Sequence, residues 1–529
     1  MKILMINPDF PPSYWSFPEQ LKFQAAKTML PPLGLLTVAA ILPKHWEIRL
    51  VDLAAQPATD LDWAWADLVM LSGMLIQKDE LLVLIREAKR RGKTVVTGGP
   101  YATSVPDEPL AAGCDFVVKG EAENTIPILI EKLKQGQLNG VIEYPEKPDV
   151  SQTPVPRFDL IDFRNYASLG IQTSRGCPFD CEFCDIVNLY GSKPRYKTSS
   201  QIISELDAIY KLGWRSTVFI CDDNFIGSRK HAKSLLKDMN TWMKDHSSPF
   251  SFITQASVNL GQDKEMIDLM TEPNFSTVFV GLESPDEDVL AIANKFQNIR
   301  NPMLESVRNI NKNGLTVLGS FIIGFDGERP GAGQRIASFV DIANIPVVMI
   351  NKLQAAPNTK LWDRLKKEKR LCEQLGSGNS TIGKMNFLPS RPETDIDREF
   401  VALWDEVYDE VYDASNFLRR TYNYYLTMRP TRKAMAKLEG RKSEPESITP
   451  RSGVSFYKSL LDLSHLLRLC WLQGVVSKAR VQYWKQFLGI LRRNPSRFVQ
   501  YLTACAMGED MFELRRKIIE AHLREETSN

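Results

Sequence analysis

The 529-residue sequence predicts an α/β fold that ends in a helical region. Two observations carry this prediction. Short strand patterns alternate with amphipathic helical patterns up to about residue 375, and helical patterns alone follow. Such alternation is typical of parallel sheets that are covered by helices. We therefore expect domains at residues 1–150, 166–375 and 376–529, with an extended linker at 151–165 that contains two prolines.

The composition indicates a globular protein without a strong attraction to nucleic acids. Hydrophobic residues make up 43% and charged residues 25%, and the formal net charge is only +2. No apolar run reaches the roughly 18 residues of a membrane-spanning helix, and the amino terminus has the pattern of a buried strand rather than of a signal peptide. Three of the eight cysteines share one loop, which favours a reducing compartment, so we expect a cytoplasmic protein.

The first 150 residues predict a parallel sheet wound on both faces. Strands are expected at 3–6, 47–51, 68–72, 93–97 and 116–119. Ligands of such sheets bind beyond the carboxyl ends of the strands. Three of these ends are small and rich in glycine, at Ser72-Gly73-Met74, Gly98-Gly99 and Gly120-Glu121. A tight turn explains any single glycine, whereas three such ends at one edge favour a bound cofactor with a long tail.

The most distinctive stretch is the loop that contains Cys177, Cys181 and Cys184, spaced C-x3-C-x2-C. Three thiolates this close can hold three corners of a [4Fe–4S] cluster and leave one iron free for another ligand. Zinc is a less favoured alternative, since its sites use paired C-x2-C spacing and no histidine is near. The other cysteines are expected to be small buried hydrophobes; they are Cys114, Cys221, Cys372, Cys470 and Cys505.

The cysteine loop, with Phe183 just before its third cysteine, resembles the signature loop of the radical S-adenosylmethionine (SAM) superfamily. The βα units around it resemble the partial TIM-type (β/α)6 barrel of these enzymes, with strands at 168–173, 217–221, 251–256, 277–281, 316–323 and 347–353. The resemblance implies a [4Fe–4S] cluster that donates one electron to SAM. It also implies a 5′-deoxyadenosyl radical that removes hydrogen from an unactivated carbon.

The resemblance places the SAM site at the carboxyl ends of the barrel strands. The candidate residues are Asp222, Asp223, Gln255, Glu283, Ser284 and Gly324. An aspartate after the second strand would accept hydrogen bonds from the SAM amine, although the Gly-Gly-Glu motif of many relatives is absent and a helix cap is the alternative. Glu283 and Ser284 would hold the ribose or the carboxylate. Gly324 would let the backbone approach the adenine.

Placed ahead of this loop, the first 150 residues resemble the Rossmann-like cobalamin-binding domain of cobalamin-dependent radical SAM enzymes. The resemblance assigns cobalamin to Ser72, Gly73, Met74, Leu75, Gly98, Gly99, Gly120 and Glu121. The Asp-x-His-x-x-Gly motif is missing, and the sole histidine here, His45, lies between a helix and a strand. We therefore expect cobalt without a histidine ligand from this domain. Met74 or Leu75 is expected near its lower face, unless both are core residues.

The region after residue 376 is predicted to be helical at 396–412, 455–472, 480–491, 495–506 and 509–524. It includes a basic stretch with interleaved tyrosines: Arg419, Arg420, Tyr422, Tyr424, Tyr425, Arg429, Arg432, Lys433 and Lys437. A solvated helix face is the favoured interpretation. Contact with anionic lipid headgroups at the membrane periphery is the alternative.

Residues 354–361 and 480–484 resemble a subfamily that includes the hopanoid 2-methyltransferases, although Asn358 replaces an expected glycine. The resemblance implies a cobalamin-dependent methyltransferase that acts on an unactivated carbon, with a small molecule or a lipid such as a hopanoid as substrate. An external electron donor such as flavodoxin or ferredoxin is also implied. Two alternatives stay open: a radical SAM enzyme without cobalamin that couples, cyclises or rearranges its substrate, and a non-enzymatic Fe–S or corrinoid carrier.

Overall fold

The structure is a computed structural model, and it describes residues 1–11, 13, 17–372, 384–408, 415–439 and 466–528. The chain forms two compact units, both discontinuous in sequence. The first unit contains Met1–Pro12, Lys27–Gly227 and Gln354–Asn379. The second unit contains Ser13–Ala26, Ser228–Leu353 and Ser380–Asn529. The domain boundaries expected from the sequence stay a prediction.

The amino-terminal part of the first unit contains a six-stranded sheet in the order β2-β1-β3-β4-β5-β6. Its strands are β1 (Lys2–Asn7), β2 (Glu47–Asp52), β3 (Leu68–Ser72), β4 (Thr94–Gly98), β5 (Phe116–Val118) and β6 (Gly140–Ile142). Every neighbouring pair is parallel. The five predicted strands are confirmed, and the short β6 was missed because it has only three residues.

Strands and helices continue the α/β pattern along the chain. The remaining strands are β7 (Ser168–Ile171), β8 (Ser174–Arg175), β9 (Arg195–Tyr196), β10 (Thr217–Ile220), β11 (Ser251–Gln255), β12 (Phe275–Glu283), β13 (Thr316–Ile323) and β14 (Val347–Lys352). In the first unit β7 pairs with β10 in parallel, and β8 pairs with β9 in antiparallel. In the second unit β11, β12, β13 and β14 pair in parallel in that order. The six predicted βα strands are thus all present.

Helices alternate with these strands in the first half of the chain. They are α1 (Pro18–Gln24), α2 (Leu33–Ile41), α3 (Asp60–Trp65), α4 (Lys78–Arg90), α5 (Gly99–Ser104), α6 (Asp107–Ala111), α7 (Ala122–Lys134), α8 (Ile186–Tyr190), α9 (Ser199–Lys211), α10 (Arg229–Asp245) and α11 (Lys264–Thr271). In α4, Leu81, Leu84, Ile85 and Ala88 are buried at the spacing of one helix face. They pack on β3 and β4, in a core that also contains Leu4 and Ile6 of β1. The buried run Ile3–Ile6 of β1 is typical of a sheet covered on both sides.

Helices also dominate the end of the chain. They are α12 (Glu287–Ile292), α13 (Phe296–Ile299), α14 (Met303–Lys312), α15 (Ala332–Ala343), α16 (Lys360–Lys367), α17 (Glu393–Val407), α18 (Ser415–Thr427), α19 (Arg432–Leu438), α20 (Arg480–Arg493) and α21 (Phe498–Ser528). Residues 466–471 are helical and continue into a π-helical segment, Leu472–Val476. The predicted helix at 455–472 lies partly outside the described residues, as do residues 409–412 of the predicted helix at 396–412.

The prediction of two helices at 495–506 and 509–524 was wrong, because α21 is continuous. Gly508 lies between the two predicted helices. In the structure this glycine serves packing: a Cβ atom at Gly508 would lie 2.4 Å from the ring of Phe417 in α18. The absent side chain lets an aromatic ring lie against the helix, which a sequence pattern read along one helix does not reveal.

The basic stretch around α18 is largely engaged inside the second unit. Arg420 is buried and donates to the carbonyl oxygen of Val407 at 2.8 Å. Arg429 lies 2.6 Å from a carboxylate oxygen of Asp268, and Arg419 pairs with Asp341. This stretch is therefore a poor candidate for lipid contact.

Five cysteines outside the loop were expected to be buried. Cys114 and Cys505 are buried, whereas Cys372 is exposed. No helix among the described residues is long and apolar enough to cross a bilayer.

Candidate functional site

The cysteine loop leaves β8 through a tight glycine turn. Gly176 has a φ of 94°, and a Cβ atom there would lie 2.7 Å from the carbonyl oxygen of Gly191. Only glycine fits this close approach. The amide of Cys177 donates to Gly191, and the amide of Cys184 donates to the carbonyl oxygen of Cys181. The loop thus folds back on the end of α8 and holds its three cysteines half-buried, with none of them in a disulfide.

The three thiols are close enough to influence each other. Burial raises the pKa of the Cys184 thiol to about 12, with smaller contributions from Asp185, Cys181 and Cys177. Within the described residues, no three His, Cys, Asp or Glu side chains are grouped to hold a single metal ion. A four-iron cluster does not require such convergence, since each thiolate binds a different iron.

Asp222 fixes the backbone that enters the cysteine loop. Its carboxylate is fully buried, and one oxygen accepts from the amides of Thr173 and Ser174 at 2.6 and 3.0 Å. The other oxygen accepts from the hydroxyls of the same two residues. These four hydrogen bonds tie the end of β10 to the chain between β7 and β8. A carboxylate so fully used has no free acceptor for the SAM amine.

Asp223, the next residue, lies against the cysteine loop and keeps part of its surface open. One of its carboxylate oxygens accepts from the amide of Gly176 at 2.9 Å. Burial raises the pKa of Asp223 to about 7, and the nearby carboxylates of Asp222 and Asp185 add to the rise. A cationic amine at this position would relieve that penalty, because an opposite charge favours the ionised carboxylate.

Glu121 and Glu123 connect the carboxyl end of β5 to the cysteine loop. Arg175 donates to Glu121 at 2.7 Å and to both oxygens of Glu123 at 2.8 and 2.9 Å. Arg195 donates to the second oxygen of Glu121 at 2.7 Å. Burial alone would raise the pKa of Glu123, but the hydrogen bonds from Arg175 hold it below its ordinary value. Glu121 was expected to contact cobalamin, whereas its carboxylate is occupied by two arginines.

The glycines at the sheet edge have two different surroundings. Gly99 has a φ of 87°, and a Cβ atom on it would lie 2.4 Å from the hydroxyl oxygen of Ser72. A Cβ atom on Gly73 would lie 2.9 Å from Leu81, so both glycines serve close packing. Beside Gly98, a Cβ atom would meet only Val118 at ordinary contact distance.

Gly120 stands apart at this edge. It has a φ of 84°, and a Cβ atom there would meet nothing within 4 Å. Its amide donates to the hydroxyl of Thr103 at 3.0 Å. The strand end at Gly120 is therefore fixed by the chain yet sterically open, as the approach of a ligand to this edge requires.

Met74 and Leu75 follow β3 in a short 3-10 turn with unequal burial. Met74 is 46% exposed, whereas Leu75 packs against the core of the sheet. The side chain of Gln77 fixes the turn, since its oxygen accepts from the amide of Met74 and its nitrogen donates to Pro8. Met74 is thus accessible to a ligand, whereas Leu75 belongs to the core.

The remaining SAM candidates lie at strand ends in the second unit. Gln255 ends β11, while Glu283 ends β12 with a φ of 64° and an ion pair to Lys295. The Ser284 hydroxyl accepts from the amide of Asp286 at 3.1 Å. Because a non-glycine residue rarely adopts positive φ, the backbone at Glu283 is held in place by its surroundings.

Gly324 follows β13 with a φ of 100°. A Cβ atom on Gly324 would lie 2.9 Å from the methyl group of Met385, so in this structure methionine fills the space that was expected for adenine. Its amide donates to Glu328 at 3.0 Å. Burial raises the pKa of Glu328 to about 7. Glu328, the acceptor that shapes this strand end, was not among the residues singled out from the sequence.

Helix α16 holds the acidic part of the cysteine loop within the first unit. Its Arg364 lies 2.5 Å from the carboxylate of Glu182, and Lys360 pairs with Asp180. Asn358, which replaces an expected glycine, has a φ of 66°. Asparagine is among the few residues that adopt this region readily, so the substitution keeps the turn. Its side-chain amide also donates to Ser104 at 2.9 Å.

Comparison with known proteins covers the whole architecture. Residues 23–130 match the B12 binding domain, residues 171–340 match the Radical SAM superfamily, and residues 359–523 match the Domain of unknown function (DUF4070). Uncharacterized methyltransferase sll1242 of Synechocystis sp. (strain ATCC 27184 / PCC 6803 / Kazusa) is 45% identical over 97% of this chain and 92% of its own length. Hopanoid C-2 methylase of Rhodopseudomonas palustris (strain TIE-1) is 32% identical over 92% of this chain and 88% of its own length.

The chain belongs to the cobalamin-dependent radical SAM methyltransferases. A solved structure of the radical enzyme OxsB with aqua-cobalamin shares the fold of this methyltransferase, with a TM-score of 0.60 and 15% identity over 99% of this chain and 81% of the other. The likeness confirms the predicted fold class: a doubly wound sheet, a partial barrel and a helical end. The match to the B12 binding domain and the similarity to the two methyltransferases set aside the alternatives of a cobalamin-free enzyme and of a carrier protein.

The residues of this methyltransferase fit its cofactors. Cys177, Cys181 and Cys184 would hold three irons of the cluster, and the open strand end at Gly120 would admit cobalamin. When bound, the cluster supplies the electron that cleaves SAM, and cobalamin carries the methyl group. The chain itself positions the loop through Asp222 and withdraws its thiols from bulk water.

Proposed function

We propose that this methyltransferase adds a methyl group to an unactivated carbon of a polycyclic lipid, with hopanoids as the substrate class. The observation that carries the proposal is the similarity to hopanoid C-2 methylase, which extends over 92% of this chain and so includes the helical end as well as the radical SAM core. Substrate-specific parts of such enzymes lie outside the shared cofactor chemistry. Similarity throughout the chain therefore supports a shared substrate class.

We assign the SAM amine to Asp223, since Asp222 is fully used by the backbone. Gln255, Glu283 and Ser284 are proposed to bind the carboxylate or the ribose. Support comes from their place at strand ends, where the ligands of parallel βα folds bind. Gly324 is proposed to contact the adenine of SAM. This contact requires the side chain of Met385 to move away from the glycine.

Cobalamin is assigned to the carboxyl edge of the first sheet. The proposed contacts are Ser72, Gly73, Met74, Leu75, Gly98, Gly99 and Gly120, with Glu121 acting through Arg175 and Arg195 instead of touching the cofactor. The open space at Gly120 and the exposed side chain of Met74 support this arrangement.

A cytoplasmic location, an external electron donor such as flavodoxin or ferredoxin, and peripheral contact with a membrane complete the proposal. The electron donor is proposed because a low-potential cluster needs a reductant. The cytoplasmic location is proposed because the eight cysteines form no disulfide among the described residues. A hopanoid is a membrane lipid, so the enzyme must meet its substrate at a bilayer.

The test is methyl transfer in vitro. Protein purified without oxygen, loaded with cluster and cobalamin, is supplied with flavodoxin, its reductase and SAM that carries a deuterated methyl group. A hopanoid dispersed in detergent should gain one labelled methyl group by mass spectrometry, and Cys181→Ala protein should give none. Labelling of an unrelated polycycle such as a chlorophyll precursor, with no labelling of the hopanoid, would reject the substrate class and leave the reaction type standing.

A further inference from the structure

We infer that the helical end of the chain carries a docking surface for anionic phospholipid bilayers. The inference rests on the proposed function in one respect, since it names the partner from which a lipid substrate is taken. The surface consists of exposed apolar side chains in the second unit, and we call it the interfacial patch. Its members are Leu467, Trp471, Val475, Val476, Val481, Trp484, Leu488 and Leu491.

Large apolar side chains are concentrated in the interfacial patch. The described residues expose 24 such side chains, and eight of these lie between Leu467 and Leu491. Trp471 and Val481 are 60% and 62% exposed. Isolated exposed apolar residues are ordinary on protein surfaces, whereas a contiguous group marks a contact with a protein or a membrane.

Helix α20 presents half of the patch along one face. Four members recur on it at intervals of three or four residues, namely Val481, Trp484, Leu488 and Leu491. This spacing places them on one side of a helix. The other side is buried, through residues that include Tyr483 and Ile490. An amphipathic helix whose apolar stripe faces outward is typical of helices that lie in the plane of a membrane interface.

A direct contact joins α20 to the other half of the patch. The indole N–H of Trp484 donates to the carbonyl oxygen of Gly474 at 2.9 Å. A Cβ atom on Gly474 would lie 2.8 Å from the indole, so the ring lies directly against the backbone of Leu472–Val476 at this glycine. Val475 and Val476, both exposed, therefore adjoin the apolar face of α20.

The exposed charges of the segment that carries the interfacial patch are of one sign. Residues 466–508 contain no Asp or Glu, and six of their cationic side chains are exposed: Arg468, Lys478, Arg480, Lys485, Arg492 and Arg493. Lys485 and Arg492 follow Val481 and Leu488 by four residues, so they adjoin the apolar stripe. An anionic lipid surface complements both the apolar and the cationic groups. A second copy of this chain would bring like charges together, which disfavours a dimer through this face.

Vesicle sedimentation of the full-length protein tests the inference. The probes are hopanoid-free vesicles of phosphatidylcholine with roughly one third phosphatidylglycerol, and vesicles of pure phosphatidylcholine. We expect at least about tenfold stronger binding to the anionic vesicles, weakened by salt. Equal binding to both kinds of vesicle, or binding to neither, would overturn the inference.

Paired variants locate the surface. The double variant Val481→Ser with Leu488→Ser should bind anionic vesicles about tenfold more weakly, because two apolar side chains no longer enter the interface. The matched control is Leu61→Ser with Val83→Ser, which removes two exposed apolar residues of the first unit and should bind normally. Equal losses in both pairs would contradict the assigned surface. So would dissociation of a dimer by the first pair, measured by sedimentation velocity without vesicles.

A charge-reversal pair tests the electrostatic part. Lys485→Glu with Arg492→Glu should weaken binding at least about tenfold and flatten its salt dependence. Arg86→Glu with Lys237→Glu makes the same change of net charge at exposed positions elsewhere and should retain most binding. These assays measure lipid binding alone. A failure of hopanoid methylation would therefore leave the docking surface standing, and a failure of docking would leave the methylation result standing.

Discussion

Arg175 donates to Glu121 at 2.7 Å, and this buried ion pair joins the cysteine loop to the sheet edge assigned to cobalamin. Glu123 and Arg195 extend the pair into a network of two carboxylates and two guanidiniums within the first unit. The cysteine loop and the sheet edge proposed for cobalamin are thus held by one set of side chains. A displacement of the loop would leave buried charges unpaired, which gives the arrangement its stiffness.

Removal of Arg175 should be costly. The variant Arg175→Met leaves Glu123 without its guanidinium partner, and we expect the free energy of unfolding to fall by about 3 kcal/mol. The iron content after reconstitution should fall as well. Urea denaturation and iron analysis measure the two effects. Arg164→Met, which removes an exposed pair with Asp162, serves as control and should leave the free energy of unfolding nearly unchanged. Equal effects in the two variants would refute the network.

The two adjacent aspartates should respond differently to substitution. Asp223→Asn should weaken SAM binding by about tenfold or more while the protein keeps its stability and its cluster, because an amide offers no charge to the SAM amine. Asp222→Asn should instead destabilise the protein by about 2 kcal/mol, because its amide nitrogen would face two of the four donors that the carboxylate accepts from. Calorimetric titration with SAM and thermal denaturation separate the effects. Intact SAM affinity in the Asp223 variant would reject that assignment.

The buried carboxyl group of Glu328 should make the stability of the protein depend on pH. Burial raises its pKa to about 7 in the folded state, from an ordinary value of 4.5. The folded protein therefore binds more protons between these values, and its stability falls as the pH rises from about 4.5 to about 7. Glu328→Gln stays neutral, so its stability relative to wild type should rise over this range, by at most about 3 kcal/mol. A constant difference between the two proteins from pH 5 to pH 8 would show that Glu328 is not buried as a free acid.

Gly508 and Gly34 form a matched pair of helical glycines. Gly508→Ala should destabilise the protein by about 1–3 kcal/mol, because the new methyl group meets the ring of Phe417. Gly34→Ala has open space and should stabilise α2 by several tenths of a kcal/mol through helix propensity. Thermal denaturation of both variants gives the comparison. A stabilising alanine at position 508 would contradict the packing of α18 on α21.

Local sequence patterns were enough to predict much of the fold but little of the candidate site. The apolar run Ile3–Ile6 and the spacing of Cys177, Cys181 and Cys184 are legible in a short window, so the strands and the cluster loop were predicted. The pairing of Arg175 with Glu121 spans 54 positions and exists only after the chain has folded. No periodicity reports such a contact, and a carboxylate at a strand end was therefore taken for a cofactor ligand.

Glycine and aspartate show the same limit. Gly508 reads as a helix end along the sequence, whereas a neighbouring ring decides its role in three dimensions. Asp222 and Asp223 are chemically identical, and only the direction of each carboxylate separates a backbone anchor from a candidate SAM ligand. What the sequence could not supply in each case was the identity of the neighbour from a distant segment.

Electron paramagnetic resonance of the bound cofactor tests most directly whether cobalamin binds this protein without a histidine ligand to cobalt. Protein purified without oxygen from a cobalamin-supplied host should carry about one corrinoid per chain, seen by absorbance. In its cob(II)alamin form the spectrum should lack superhyperfine splitting from an axial nitrogen and should change in Met74→Ala protein, since Met74 is exposed at the sheet edge and His45 is remote from it in sequence. Protein without corrinoid, or a spectrum split by an axial histidine nitrogen, would contradict the account.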